Sequence, residues 1–269
     1  MNEVLKKSAA PGVDRHILDP DNAALRYRVL RRAPHAELEA FIEHYWIIRW
    51  DLIEPFTTQV LPPASANLVF QPGGARLSGV TTGSFDYTLE GRGTVVGVMF
   101  RPGGLYPFTR RSVHELTDHE VPASSAFTAA DHEFNEQVRA RDDDEAVAMV
   151  DQMLLGVRPE PDERVRLVNE IIAQLSGDPG GTVASTAQRF AMSERSLQQL
   201  FHTYVGVGVK WIIMRLRLLE AAELARADAK LSWSAVAADL GYSDQAHFAN
   251  DFRRMIGRTP TEYLRHIRV

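Results

Sequence analysis

The chain contains no cysteine among its 269 residues. That absence removes disulfides, thiolate metal ligands and cysteine nucleophiles together, a methyl-accepting cysteine included. Long apolar runs are missing too. No segment approaches the roughly 20 consecutive apolar residues of a membrane span, and the first 24 residues hold Lys6 and Lys7 but no stretch of signal-peptide length. The expectation is a cytoplasmic protein with no membrane partner. A basic excess is also absent: the formal net charge is -5, which at first argues against a polyanion partner. The deficit is local, however. From Gly177 onward 12 Lys+Arg stand against 9 Asp+Glu, while the preceding residues hold 18 against 26. Local clusters rather than the sum decide phosphate binding, so the last third remains a candidate for nucleic acid.

What is present reads as an ordinary globular protein, with 45% apolar and 24% charged residues. The length exceeds that at which one hydrophobic core usually keeps growing, so two domains are expected. Residues up to about 24 are broken by Pro11, Gly12 and Pro20 and read as a loose arm. Pro34 to Phe41 has the composition of a short helix. From Tyr45 to Phe100 the period falls to two. Runs such as His44 to Trp50, Thr58 to Leu61, Asn67 to Phe70, Arg76 to Val80, Phe85 to Leu89 and Thr94 to Phe100 are punctuated by Pro62-Pro63, Pro72-Gly73-Gly74, Gly83-Ser84 and Gly91-Arg92-Gly93. Short, closely spaced strands of this kind indicate an antiparallel barrel or sandwich. Helical segments follow around Leu105 to Phe108, Asp131 to Arg141 and Asp144 to Leu155, the Asp142-Asp143-Asp144 run being suited to a helix N-terminus. Val157 to Asp162, with Pro159 and Pro161, is the linker candidate, dividing the chain into 1–158 and 159–269. The fold class is α+β: an N-terminal antiparallel β-barrel-like domain with accessory helices, then an all-α domain.

Beyond the linker seven helices are expected: Glu163 to Ser176, Val183 to Phe190, Glu194 to Tyr204, Val209 to Ala227, Trp233 to Leu240, Gln245 to Ile256 and Thr261 to Ile267. Within them one pattern occurs twice. Ala187, Phe190, Met192 and Ser193 pair with Ala237, Leu240, Tyr242 and Ser243; after one extra residue, Leu197, Phe201 and Gly206 pair with Phe248, Phe252 and Gly257. A short helix, a tight turn and a second helix with polar residues between apolar anchors make a helix-turn-helix, and two copies suit successive major grooves of one duplex. The intervening helix, at about 1.5 Å per residue, spans nearly 30 Å, close to one turn of B-DNA.

Apolar spacing assigns Leu197, Leu200 and Phe201 to a core, leaving Arg195, Gln198 and Gln199 on the surface. In the second copy Phe248, Phe252 and Ile256 form the stripe, leaving Gln245, His247, Asn250, Arg253 and Arg254. Arg, Gln and Asn make bidentate contacts to base edges. The phosphate candidates are Ser193, Ser243, Lys210, Arg253 and Arg254. His247 either reads a base or packs beside Phe248, and Trp211 and Trp233 read as core.

These residues resemble the AraC/XylS family of bacterial transcription regulators over about Val165 to Arg268. The resemblance rests on Ser193-x-x-x-Leu197-x-x-Leu200-Phe201, Gly206, Arg215-Leu216 and Ala221. The second half adds Val236-Ala237-x-x-x-Gly241-Tyr242, Ser243-x-x-x-x-Phe248, Phe252-Arg253-Arg254-x-x-Gly257, Thr259-Pro260 and Tyr263. It implies a unit that binds double-stranded DNA and positions RNA polymerase, often as an activator. The base-reading places then fall on Arg195, Gln198 and Gln199, and on Gln245, Ala246, His247 and Asn250. Ala191 stands where a turn glycine is more usual, and Val209 where proline is. The first domain, through His44-Tyr45-Trp46, Leu61-Pro62-Pro63, Asn67 to Phe70 and Phe100 to Gly104, also resembles a poorly characterised sensor-like domain found before such regulators. It implies an effector-binding or dimerising role.

A small-molecule effector is therefore expected, with Tyr45, Trp46, Trp50, Tyr87 and Phe100 as pocket candidates. The alternatives are that these aromatics only fill the core, and that control passes through protein contacts. A homodimer is a further expectation. No catalytic residue, metal or cofactor is expected. His114, His119 and His132 lie among carboxylates without the i, i+4 pair of a zinc helix, the Gly-rich turns lack a P-loop lysine, and Ser84, Ser124 and Ser125 have no nucleophile-elbow context. A barrel enzyme joined to a DNA-binding module is the remaining alternative.

Overall fold

The structure, a computed structural model, describes residues 23–178, 180–227 and 231–266. The expected N-terminal arm lies, up to residue 22, outside them. Eight strands follow: β1 (Tyr27–Arg32), β2 (Ile42–Asp51), β3 (Phe56–Val60), β4 (Asn67–Phe70), β5 (Arg76–Ser78), β6 (Phe85–Leu89), β7 (Arg92–Phe100) and β8 (Glu120–Pro122). Six form one sheet in the order β1-β2-β7-β4-β5-β8, and β3 pairs with β6 in a second. Every pairing is antiparallel. The α+β class is thus as read from the sequence, but the large sheet is open, ending at β1 and β8 rather than closing into a barrel. The helix expected over residues 34–41 is only a single 3-10 turn, Ala36–Leu38. The reason is register: β1 pairs with β2 from Tyr27↔Trp50 to Arg32↔Tyr45, so this segment is the connection of a hairpin and turns back at once.

Alternation sends successive side chains to opposite faces of the large sheet. Tyr45, Ile47, Leu68, Phe70, Leu77, Val96, Val98 and Phe100 join a buried core with Leu38, Phe41 and Phe108. Helices α2 (His132–Ala140) and α3 (Asp143–Val157), which follow the short α1 (Tyr106–Thr109), cover this face with Val138, Val147, Val150 and Leu154. Asp131 caps α2 by accepting from Phe134 N, and Asp142 caps α3 by accepting from Asp144 N and Glu145 N. The acidic run therefore does what a helix N-terminus favours. Two further carboxylates of that run hold the sheet, Arg49 to Asp143 at 2.8 Å and Arg32 to Asp144 at 2.7 Å.

On the other face Trp46 and Trp50 lie across β7 at its glycines. The register sets Trp46 opposite Gly97 and Trp50 opposite Gly93. A Cβ on Gly97 would fall 2.0 Å from the Trp46 ring, and one on Gly93 2.2 Å from the Trp50 ring. The bare backbone is what lets each indole lie flat against the strand.

The helical part comprises α4 (Glu163–Ser176), α5 (Val183–Arg189), α6 (Glu194–Tyr204), α7 (Val209–Ala227), α8 (Trp233–Asp239), α9 (Gln245–Ile256) and α10 (Pro260–His266). It holds two cores. The first unites Val168, Ile171, Ala187, Leu197 and Phe201 with Val209, Ile212 and Ile213 of α7; the second unites Leu218, Ala221, Ala222 and Ala225 of α7 with Val236, Phe248, Phe252 and Tyr263. α7 carries apolar residues all around because its two halves serve different cores. Each core also takes in one residue from the strand region, Val80 in the first and Leu61 in the second. Among the described residues no helix is long and apolar enough to cross a membrane.

Candidate nucleic-acid interface

Each helix-turn-helix begins its second helix with a side-chain cap, but the capping residues differ. Ser193 accepts from Ser196 N at 3.0 Å at the start of α6. In the second copy the cap is Asp244, accepting from His247 N at 2.7 Å, and Ser243 is displaced one residue outward. The extra residue of the second copy thus lies in its turn. The His247 N–H holds the Asp244 carboxyl below the usual carboxylate range, since it is bonded to the charged form. Ser243 donates to that carboxylate at 3.3 Å.

The turns differ as well. Ala191 has φ +52° and its counterpart Gly241 φ +77°. The left-handed conformation is therefore kept in both copies, and the first adopts it with an alanine Cβ.

On α6, Leu197 and Phe201 have no exposure, while Arg195, Gln198 and Gln199 face outward. Gln199 Nε2 donates to Thr203 Oγ1 at 3.1 Å, which ties that amide to its own helix. No ion pair involves Arg195 among the described residues. On α9, Phe248, Phe252, Met255 and Ile256 are buried; Gln245, Ala246, His247, Asn250, Arg253 and Arg254 are exposed. His247 is engaged locally: Nε2 lies 3.4 Å from Asp251 Oδ2, and its ring meets Tyr242 edge-on at 5.5 Å. Lys210 is exposed at the start of α7. The fold therefore gathers the base candidates with Arg253 and Arg254 on two exposed helix faces, each backed by its own core, while Lys210 stands apart on α7 and Ser243 in the turn before α9.

Arg215 was legible only as a motif residue, and its position is unusual. It is 3% exposed, lies with its guanidinium 5.9 Å from the Trp211 ring, and donates through Nη2 to the carbonyl of Pro62 in the strand region. Its Nη1 is buried without a partner. Burial without a carboxylate pushes its pKa down to about 10. The available sequence signal is the pair of arginines, Arg215 and Arg217, inside the otherwise apolar run Ile212 to Leu219.

The expected effector aromatics separate by parity. A cavity of about 570 Å³ lies between the large sheet and the β3–β6 pair; Trp46 and Tyr87 line it with Tyr27, Val69, Phe85 and Met99. Tyr45 and Phe100 occupy the opposite face and belong to the core. Tyr45 donates from Oη to Asp151 at 2.6 Å, and burial together with that carboxylate raises its pKa. Trp50 is on the cavity side but packs on Gly93 with Nε1 donating to Glu90 O at 3.0 Å, and borders a second concavity beside residues 23–29. Burial raises the Tyr87 phenol. Among the described residues no cluster of His, Asp and Glu is arranged to hold a metal.

A family described as a helix-turn-helix domain matches residues 186–266, and one described as a domain of unknown function matches residues 30–122. The arabinose operon regulatory protein of Escherichia coli (strain K12) is 26% identical over 127 residues, covering 44% of this chain and 43% of that protein. The HTH-type transcriptional activator RhaS of Escherichia fergusonii is 33% identical over 138 residues, covering 47% and 49% respectively. The chain spans less than half the length of these curated relatives. Among solved structures, ToxT from Vibrio cholerae O395 is 10% identical with a TM-score of 0.40, covering 85% of this chain and 98% of that one.

Proposed function

We propose, from the helix-turn-helix domain matched over residues 186–266 and the domain of unknown function that precedes it, that the chain is a sequence-specific, DNA-binding transcription regulator of the AraC/XylS type. The observation that carries this reading is the pair of exposed polar helix faces, on α6 and α9, each set on a separate buried core. The working division is 1–158 for sensing and dimerisation and 159–269 for DNA. Arg195, Gln198 and Gln199 read bases in one major groove, and Gln245, His247 and Asn250 in the next. Ser193, Ser243, Lys210, Arg253 and Arg254 contact phosphates, and RNA polymerase is the second macromolecular partner in the cytoplasm.

Selection of bound sequences from random duplexes by the full chain tests this. The expected product is a bipartite site with half-elements about ten base pairs apart. A selection without sequence preference overturns it.

Control is by a small molecule in the cavity between the two sheets, which changes dimer geometry or frees the DNA-binding unit rather than altering the recognition helices. Support comes from the volume of about 570 Å³ and its lining, where Tyr27, Trp46, Phe85 and Tyr87 stand beside charged side chains such as Arg76 and Glu120. A planar molecule with an apolar body and a polar or charged edge fits that lining. Compounds that raise the melting temperature of the full chain identify it, because binding to the folded state adds stability. Loss of that shift in Trp46→Ala, with the shift retained in Trp211→Ala, assigns the site; equal shifts in both variants remove the cavity from consideration.

A further inference from the structure

The two recognition helices end on equivalent glycines, Gly206 after α6 and Gly257 after α9, and both glycines press on the strand region. Each has a left-handed φ, +99° and +83°. A Cβ on Gly206 would fall 2.8 Å from Thr117 Oγ1, and one on Gly257 2.8 Å from Gln59 Nε2 and 2.9 Å from Ser84 Oγ. The contacts are also polar. Gly206 O accepts from Thr117 Oγ1 at 2.8 Å and lies 2.9 Å from His114 Nδ1, which places the proton on that nitrogen because a carbonyl only accepts. At the other end Ser84 N donates to Met255 O at 3.0 Å. The His114 ring stacks on His202 of α6 with centroids 3.7 Å apart.

The segments making these two contacts are bonded to each other. Gly79 N donates to Leu116 O at 3.2 Å and Asp118 N to Val80 O at 2.9 Å. Asp118 Oδ1 accepts from Thr82 N at 2.6 Å, and its carboxylate takes the Thr82 hydroxyl as well. Residues 79–84 and 113–118 are thus one hydrogen-bonded unit, with α6 held at one end and α9 at the other. The base-reading candidates on both helices stay exposed, so this unit holds the helices from behind instead of covering them.

We propose that this unit is a brace that fixes the separation and relative rotation of the two recognition helices, and so selects the spacing between the two half-elements of the DNA site. Asp118 is its positioning residue: the hydrogen bonds of its carboxylate and its N–H go to Thr82 and Val80, joining the two segments that touch the recognition helices. The inference rests on the regulator reading. One base pair of altered spacing displaces a half-element by about 3.4 Å and about 35°, a mismatch that two helices joined by α7 alone absorb by flexing and two braced helices do not.

The test is binding of the full chain to duplexes whose half-elements, identified by selection, are separated by spacers varied one base pair at a time. Wild type is expected to lose about tenfold in affinity one base pair either side of its optimum, comparable to one mismatched base pair. Asp118→Gly removes the carboxylate while suiting the left-handed φ of +58° at that residue. It is expected to flatten the profile to within about threefold, leaving base preference inside each half-element intact. Asp118→Asn, which retains an acceptor for Thr82 N and tolerates the same φ, restores the sharp profile. Thr117→Val, acting on the α6 contact alone, flattens it partially. A profile in Asp118→Gly as sharp as wild type overturns the brace, as does a flat profile in wild type, both with sequence-specific binding preserved. Failure of wild type to select any site overturns the regulator reading itself, and the brace with it.

Discussion

The two helix-turn-helix copies share a backbone plan and differ in what they leave free. The first caps its recognition helix with neutral Ser193, turns on Ala191, and presents Arg195 with no ion pair among the described residues. The second caps with the carboxylate of Asp244, turns on Gly241, and ties His247 to Asp251. An anionic cap suits the positive end of the helix but repels an approaching phosphate. The first copy thus has a less favourable turn, ties Gln199 to Thr203 and leaves Arg195 without an ion pair; the second has a comfortable turn and ties His247 to Asp251.

The largest expected effect tests whether the copies are equally well founded. Phe201→Ala and Phe252→Ala each empty a site of zero exposure, and each is expected to lose about 3–5 kcal/mol in denaturant unfolding. Similar losses in one transition mean that the two cores melt together; separate transitions mean that α7 does not couple them. Next in size is recognition. Arg195→Ala should cost about 1–3 kcal/mol of discrimination at one base position, and His247→Ala less, since its imidazole is already engaged. Equal losses in competition binding would erase the contrast. Arg253→Ala should weaken all sequences alike and lower the slope of log affinity against log salt by about one.

Smaller effects are expected in the turns. The nearest atom to a Cβ on Gly241 would be Arg217 Nη2 at 3.6 Å, an ordinary contact, so Gly241→Ala is penalised by conformation, about 1 kcal/mol. Ala191→Gly relieves the same strain but adds freedom to the unfolded chain, for a net gain of about 0.5 kcal/mol. Opposite signs in thermal unfolding are the prediction, and equal signs contradict it. The smallest concerns pH. Because the folded Asp244 carboxyl titrates below its unfolded value, its contribution is present above the ordinary carboxylate range and is lost as pH falls through the lower folded value. Hydrogen-exchange protection of the His247 amide should therefore fall on acidification before that of Ser196, whose acceptor is a hydroxyl.

Much of the helical part is legible in the sequence because its signals are local. Thr182, Ser193 and Asp244 cap α5, α6 and α9, the apolar spacing runs between those caps, and observed ends fall within a residue of the expected ones. The strand region is less legible. Period two separates Tyr45 from Trp46 but does not say which of the two faces receives α2 and α3, and here Tyr45 and Phe100 face the helices while Trp46 faces the cavity. β1 and the three-residue β8 carry too little pattern to be seen alone. The open sheet and the contacts to Gly206 and Gly257 depend on pairings far apart in the chain, and the repeat shows only that the two glycines are equivalent.

The flat seating of Trp46 on Gly97 gives the molecule an optical property. An indole clamped on a strand on one side and bordering the cavity on the other emits according to what fills that cavity. Trp50 beside it, 7% exposed and bonded to Glu90, supplies a reference in the same sheet. Variants that keep Trp46 alone or Trp50 alone, with the other three of the four tryptophans replaced by phenylalanine, separate occupation of the cavity from a general loosening of the sheet, with no label added to a chain that has no cysteine to carry one.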